Sequence, residues 1–567
     1  MSNIDVFLTA NHQKMVLNDA ESKIIGADFT AQWFFEKEPP YNRLQLKVQP
    51  HQTIHLQSVY VEIGHAFQKD DAVFCNGFQS WSESRLYRFD EKLDRLRKIA
   101  YPLMYRYGDY HLNVPHRKGL LHSWTYTYLQ SPQANALTFM GSLDEKKAFT
   151  RIDSDIENQV IVISKEVQGM IVTEACTLLD ILWMHDVTED IAFDTYFKLS
   201  NISPPKAPPA TGWTSWYNYY NKISQTIMDK NLAAFAEKQV AIDFFQIDDG
   251  WQTRIGDWLS IQPTFPKGMK HLAQSIQNQG FKAGLWLAPF IVERKSQLFQ
   301  EHPDWVLRDD QGKMIPVGYS PLWSGRFYAL DFYHPEVRAY LVNVFETVLN
   351  EWGFDMVKLD FLYAVCVEPR HGKARGQVMY EAMVFLRELV GENYLLGCGV
   401  PLCSAFGLVD YCRIGADIHL KWEHGLLKFL RNRERVSTIV ALRTTIGRRH
   451  LNGRAFQNDP DVFILREKNH QLTPIQQDTI LMVNLFFGSL LFCSDDISDY
   501  DIAQLKSYEK VFKNHPFKIY RVTQIEFDVY KIEFLKDKSH HTAYFNLNNK
   551  QLKINDLVLK PFETKIL

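Results

Sequence analysis

The chain has 567 residues, too many for one hydrophobic core, so two or three domains are expected. Its 46% hydrophobic and 23% charged residues describe an ordinary globular protein, and a net charge of −3 with a pI near 6.7 supplies no general attraction for nucleic acid or an anionic membrane. Seven scattered cysteines, odd in number and without Cys-x-x-Cys spacing, argue against a disulfide framework and against a zinc site. Aromatic residues are the deviation, at 14% with thirteen tryptophans. Sugar-binding clefts and a large aromatic core both fit that surplus. The first residues lack a basic stretch followed by an apolar one, and no stretch reaches the length of a membrane span, which gives the expectation of a cytoplasmic protein.

Over residues 1–203 the apolar residues alternate. Leu44, Leu46 and Val48, then Ile54 and Leu56, then Val59, Val61 and Ile63, and later Val160 and Val162 read as short strands of an antiparallel β-sandwich. Phe74-Cys75-Asn76-Gly77-Phe78-Gln79-Ser80-Trp81-Ser82 mixes aromatic and polar groups. It suits an exposed functional loop, and equally a turn with buried aromatics. Four prolines between Ser203 and Ala210 can continue neither a helix nor a central strand and mark a boundary.

Residues 208–496 alternate apolar runs with amphipathic stretches. The run 243–249 is followed by a helical stretch at 269–279 and by the run 282–289; Val337, Tyr340, Leu341, Val344, Val348 and Trp352 form one helical stripe before 355–361. Repeated strand–helix units predict a parallel sheet. Polar residues end nearly every strand: Trp216, Asp248 and Asp249, Trp286, Lys358 and Asp360, Cys398, Arg413 and Asp417, then Asp459, Asp461 and Asp495. No glycine-rich phosphate loop follows any strand, and convergence of so many strand ends selects a (β/α)8 TIM barrel over an open sheet. In strand geometry Met356, Lys358 and Asp360 share one face, and Arg413 and Asp417 another, so two carboxylates, each beside a cation, are presented together. Structural salt bridges near strand ends give the same pattern. Alternation returns over 500–567, a small C-terminal antiparallel β domain.

Ten motifs in order carry a resemblance. Gly212-Trp-Thr-Ser-Trp-Tyr217, Gln246-Ile-Asp-Asp-Gly-Trp251, Phe265-Pro-Lys-Gly-Met269, Gly284-Leu-Trp-Leu-Ala-Pro-Phe290, His302-Pro-Asp-Trp305, Leu330-Asp-Phe332, Lys358-Leu-Asp-Phe361, Leu396-Gly-Cys-Gly399, Arg413-Ile-Gly-Ala-Asp417 and Asn458-Asp-Pro-Asp461 resemble the α-galactosidases of glycoside hydrolase family 36, in their compact three-domain form. One departure is Ala416, where the family commonly has proline. The resemblance implies retaining, exo-acting hydrolysis of melibiose- and raffinose-type α-galactosides, with Asp360 as nucleophile and Asp417 as acid/base. It implies that Asp248, Asp249, Lys358, Cys398 and Arg413 bind the galactosyl unit, and that Trp81, Trp216 and Trp286 supply walls, although Trp286 also suits barrel core.

A retaining glycosidase needs one ionised carboxyl and one protonated carboxyl about 5–5.5 Å apart. Lys358 and Arg413 favour ionisation nearby while mutual repulsion raises the proton affinity of one partner. Which of the two keeps its proton is left open. The clustered aspartates could also hold a hard cation, but lysine and arginine on the same faces oppose that, so no metal or cofactor is expected. α-N-Acetylgalactosaminidase activity, galactosyl transfer and a non-catalytic sugar-binding role are the alternatives on this scaffold. The expected partner is an α-galactoside oligosaccharide, with no nucleic acid and no membrane; oligomeric state is not predicted.

Overall fold

The computed structural model describes residues 4–18, 20–104, 106–112, 114–130, 136–513 and 517–567. Before residue 188 the chain forms two antiparallel sheets. One runs, in spatial order, Gln13–Leu17, Ile4–Ala10, Ile54–Gly64, Val160–Lys165, Thr150–Asp155 and Leu120–Trp124. The other runs Lys23–Ile25, Phe29–Glu38, Tyr41–Pro50, Cys176–Val187, Leu137–Ser142, Tyr126–Gln130, Ala72–Cys75 and Arg85–Arg88. Alternation decides which side chains are buried: Val6, Leu8, Leu44, Leu46, Val61, Ile63, Ile161 and Ile163 fill the space between the sheets.

The second sheet is buried on its far side too. There Phe74, Tyr126, Tyr128 and Phe139 meet Phe193 of helix Glu189–Leu199 and the imidazole of His450, with Phe74 stacked on Tyr128 at 4.8 Å and Phe193 on His450 at 3.7 Å. Much of the aromatic surplus is therefore packing between sheet and barrel.

The barrel strands are β1 Ala210–Thr214, β2 Phe244–Ile247, β3 Lys282–Leu287, β4 Met356–Leu359, β5 Tyr394–Gly397, β6 Tyr411–Arg413, β7 and β8 Leu490–Cys493. β7 has two halves, Gln457–Asp459 and Val462–Phe463, because Pro460 cannot donate to a ladder. Its first half pairs with β6 and its second with β8, which in turn pairs with β1. The sheet of nine segments thus closes as eight parallel strands. After β3 comes an antiparallel insert, Ile291–Glu293, Pro316–Ser320 and Gly325–Ala329, which the sequence reading does not anticipate. The helical stripe at 336–352 is an α-helix only over Pro335–Phe345 and continues as a π turn, Glu346–Glu351. A four-stranded antiparallel sheet, Lys518–Glu526, Val529–Lys536, Ser539–Asn546 and Thr564–Ile566, with a hairpin of Leu552–Ile554 and Leu557–Leu559, follows the barrel. No helix among the described residues is long and apolar enough to cross a membrane.

Of the two readings open for segment 74–82, the structure shows the turn with buried aromatics and not the exposed loop. Phe74 and Cys75 end a strand, and the remainder is buried against the barrel, Trp81 alone being half-exposed. Its polar groups are consumed internally: Asn76 donates to the Trp124 carbonyl, and Gly77 N–H to Ser84 Oγ.

Arg443 of helix Thr438–Gly447 joins all three parts of the chain. It pairs with Glu83 at 3.0 Å and grips Asp528 of the C-terminal sheet through two hydrogen bonds of 2.6 Å. Although burial opposes it, Arg443, Arg435 and Arg85 hold Glu83 down to about 2. Asp528 sits in the left-handed region at φ 62, which asparagine tolerates. Asp528→Asn therefore isolates the charge, and stripping this buried arginine of a partner should cost about 3–5 kcal/mol, read as a lower urea midpoint.

Candidate active site

The C-terminal ends of the barrel strands carry the polar residues inward. At the end of β1, Ser215 accepts a hydrogen bond from Asp248 N–H at 2.9 Å, fixing the turn after β2, while Trp216 opens a short helix and meets Tyr220 edge-on. Asp248 Oδ2 accepts from Lys358 Nζ at 2.8 Å and from Gln246 at 3.1 Å. Although burial opposes it, the Asp248 carboxylate holds the Lys358 ammonium protonated well beyond its ordinary range. The cation on β4 is thus tied to Asp248, not to its sequence neighbour Asp360.

Asp249 accepts from Gln252 at 2.6 Å and from the Trp323 indole at 2.9 Å, and burial pushes its carboxyl up to about 6. Asp360, just beyond β4, accepts from the Trp286 indole at 3.1 Å and from Phe361 N–H at 2.8 Å. Trp286 is 2% exposed and so belongs to the barrel core and to the site together. Phe361 turns the chain with φ 54 and sends its ring against Trp81 at 5.1 Å and Trp323 at 5.3 Å.

Trp81 reaches the mouth from the N-terminal sheet. Its indole donates to Cys398 Sγ at 3.4 Å, beyond β5, and Tyr107 and Tyr363 flank its ring. Gly399 is required here, since a Cβ would lie 2.8 Å from the Trp81 ring and its φ is +58. Burial, with the nearby Asp360 charge, raises the Cys398 thiol.

Arg413, the last residue of β6, is the hub of the opposite wall. It meets Asp459 at 2.9 Å, Asp461 at 2.9 Å and Asp417 at 2.7 Å. Strand geometry stops at Arg413, so Asp417 sits on the following loop and not on the strand face expected for it. Burial raises Asp417, with Arg413 and Lys358 opposing and Asp360 reinforcing. Burial, reinforced by the charges of Asp417 and Asp459, pushes Asp461 up to about 7, and Tyr217 donates its hydroxyl hydrogen to it.

All ten residues singled out from sequence lie around this one mouth. Four others were not singled out as site residues. Asp459 and Asp461 were visible as strand-end carboxylates, but their shared guanidinium needs the split in β7. Tyr217 stood inside a quoted motif. Trp323 lies in the unanticipated insert, in the short turn Pro321-Leu322-Trp323-Ser324 before Gly325, and its signal was an aromatic residue beside a proline and a glycine. Among the described residues, the imidazole–carboxylate grouping compact enough for a cation is Asp304, His334 and Glu336, which shares no residue with the mouth.

A cup of this kind, with paired carboxyls, two cations and indole walls, can hold a polyol and carry out acid–base and nucleophilic chemistry on it. The Melibiase family model matches residues 211–390. Alpha-galactosidase 1 of Pediococcus pentosaceus is 30% identical over 166 residues, 27% of this chain and 21% of that protein; the chain thus matches about a fifth of that relative's length. The α-galactosidase of Thermus thermophilus, solved with p-nitrophenyl α-D-galactopyranoside, is 26% identical and superposes with a TM-score of 0.72 over 94% of this chain and 98% of its own. Alpha-galactosidase AgaA of Geobacillus stearothermophilus shares the fold at 14% identity, with a TM-score of 0.63 over 96% of this chain and 75% of its own. Motifs, barrel and flanking sheets agree: residues 211–390 match the Melibiase family model, and the chain as a whole is similar to α-galactosidases of glycoside hydrolase family 36.

Proposed function

We propose that the protein is a cytoplasmic, retaining exo-α-galactosidase that removes terminal α-galactosyl residues from melibiose- and raffinose-type oligosaccharides by double displacement. The observation that carries this reading is the contrast between two carboxyls at one mouth. Asp360 accepts N–H hydrogen bonds from the Trp286 indole and the Phe361 backbone, which hold its carboxyl in place as a nucleophile, whereas burial raises Asp417, as suits an acid that must keep its proton. Similarity to the Thermus enzyme, also solved in complex with stachyose, supports the substrate class. Seven free cysteines, five of them buried, suit a reducing compartment.

In this mechanism Asp360 attacks the anomeric carbon while Asp417 protonates the departing glycosidic oxygen. Asp417 then takes a proton from water, which attacks the same carbon and releases Asp360. Asp248, Asp249, Lys358 and Arg413 hold the galactosyl hydroxyls through charge-assisted hydrogen bonds, with Cys398, Trp81, Trp216 and Trp286 as walls.

Hydrolysis of nitrophenyl α-galactoside should exceed that of the α-glucoside and the α-N-acetylgalactosaminide, and proton NMR should show α-galactose as the first-formed anomer. β-Galactose appearing first would exclude double displacement. Asp417→Ala should slow melibiose hydrolysis by about 10² to 10⁴. An activated nitrophenyl galactoside needs no leaving-group proton, so its glycosylation step should be spared. Azide should then speed release of the galactosyl enzyme and give α-galactosyl azide.

Asp249 links the site to stability. Unfolded, it ionises near 3.8, but folded it keeps its proton to about 6, so stability present below the lower value is lost as pH rises through the upper. Asparagine has no such proton to lose. Asp249→Asn should therefore stabilise the fold near pH 8, by at most about 3 kcal/mol, leave its stability nearly unchanged near pH 3, and abolish galactoside turnover. Thermal melts at both pH values check the sign.

A further inference from the structure

Arg448 follows helix Thr438–Gly447, and its side chain is fully buried. Its Nε donates to Asn76 Oδ1 at 3.0 Å, its Nη1 to the Ser80 and Ile414 carbonyls at 2.7 Å each, and its Nη2 to the carbonyls of Gly77 at 3.2 Å and Gln79 at 3.1 Å. All five guanidinium hydrogens are used, every partner is neutral, and burial pushes the group down to about 10. A buried cation without a carboxylate is a costly way to join elements that apolar residues could join by packing.

The five acceptors lie on two segments only. Four belong to the stretch 76–80, which ends one residue before Trp81; the fifth, Ile414, follows Arg413 and precedes Asp417 by three residues. A single nitrogen, Nη1, spans both. The first segment is anchored on a third strand end as well, since Ser80 N–H donates to the Val400 carbonyl at 2.9 Å.

We propose that Arg448 is a positioning residue that holds the Trp81 segment and the Arg413–Asp417 loop in register with each other over the barrel mouth. The proposal rests on the galactosidase reading for the roles of Trp81 and Asp417. Arg448 itself touches no sugar-facing atom. It acts through two neighbours, so its loss misplaces a wall and an acid together.

Arg448→Lys keeps the charge but offers only three donors, all on one atom, so it cannot serve the five acceptors that the guanidinium fork holds on the two segments. The folded variant should raise KM for nitrophenyl α-galactoside about tenfold and lower kcat further for melibiose than for the nitrophenyl substrate, which needs no acid. Combined with Trp81→Ala, it should raise KM no further than Trp81→Ala alone. Hydrogen exchange read by mass spectrometry should accelerate at least tenfold over 77–83 and 414–418 and stay unchanged in the barrel strands.

Wild-type constants in the folded variant, multiplicative effects in the double variant, or faster exchange spread evenly over the chain would each overturn the proposal. If Arg448→Lys does not fold, Asn76→Ala removes one acceptor and should shift the same readouts in the same direction by less; no shift at all overturns it. A wild-type protein inactive on α-galactosides would sink the proposed function instead, and the exchange measurement would still decide whether Arg448 orders the two segments.

Discussion

Six carboxyls, Asp248, Asp249, Asp360, Asp417, Asp459 and Asp461, converge on the barrel mouth, and two cations, Lys358 and Arg413, stand among them. Charges cannot be balanced one for one in that space, where all of these carboxyls but Asp417 are buried. The solution is unequal sharing. Lys358 is given to Asp248, and Arg413 is divided among three partners. Asp249 and Asp360 are left to N–H donors from Trp323, Gln252, Trp286 and the Phe361 backbone. Burial, reinforced by the charges of neighbouring carboxylates, raises the proton affinities of Asp249, Asp417 and Asp461. An imbalance of this size persists only where the groups cannot move apart, and a closed eight-stranded barrel packed beneath them supplies that rigidity.

The same constraint explains why the N-terminal sheets are bound so firmly. A strand sheet that merely adjoined the barrel would need one buried face. Here the second sheet has two, one against its partner sheet and one against the barrel, and the second is lined with stacked and edge-on aromatics around His450. That contact fixes the strand Ala72–Cys75, from which the segment bearing Trp81 departs. Precision at the mouth is thus set partly by packing far from it.

Much of this was legible from residue order. Alternation in the first and last parts, strand–helix repetition in the middle and polar strand ends were sufficient for the architecture, because each is a direct trace of which side chains face a core. What was illegible depends on partners distant in the chain. Lys358 lies two residues from Asp360 yet pairs with Asp248, 110 residues away, since adjacent parallel strands bring Trp286, Lys358 and Leu396 level. The segment 74–82 suited an exposed loop and a buried turn equally, because its polar groups satisfy one another and Arg448, and no local rule reveals that. The insert after β3, with Trp323, escaped because its strands are short and end in a turn whose composition resembles an ordinary loop.

The family match over 211–390 excludes Trp81, Cys398, Arg413 and Asp417. The surface proposed to face the sugar is therefore composite, assembled from the N-terminal sheet, the matched half of the barrel and the half beyond it. Modular recombination has to respect that. A barrel exchanged between relatives without its sheet would carry an open wall, and a sheet exchanged without the 448 region would deliver its tryptophan to no fixed address. The heritable unit here is the interface, and divergence among such proteins is expected to travel in matched pairs of segments on its two sides.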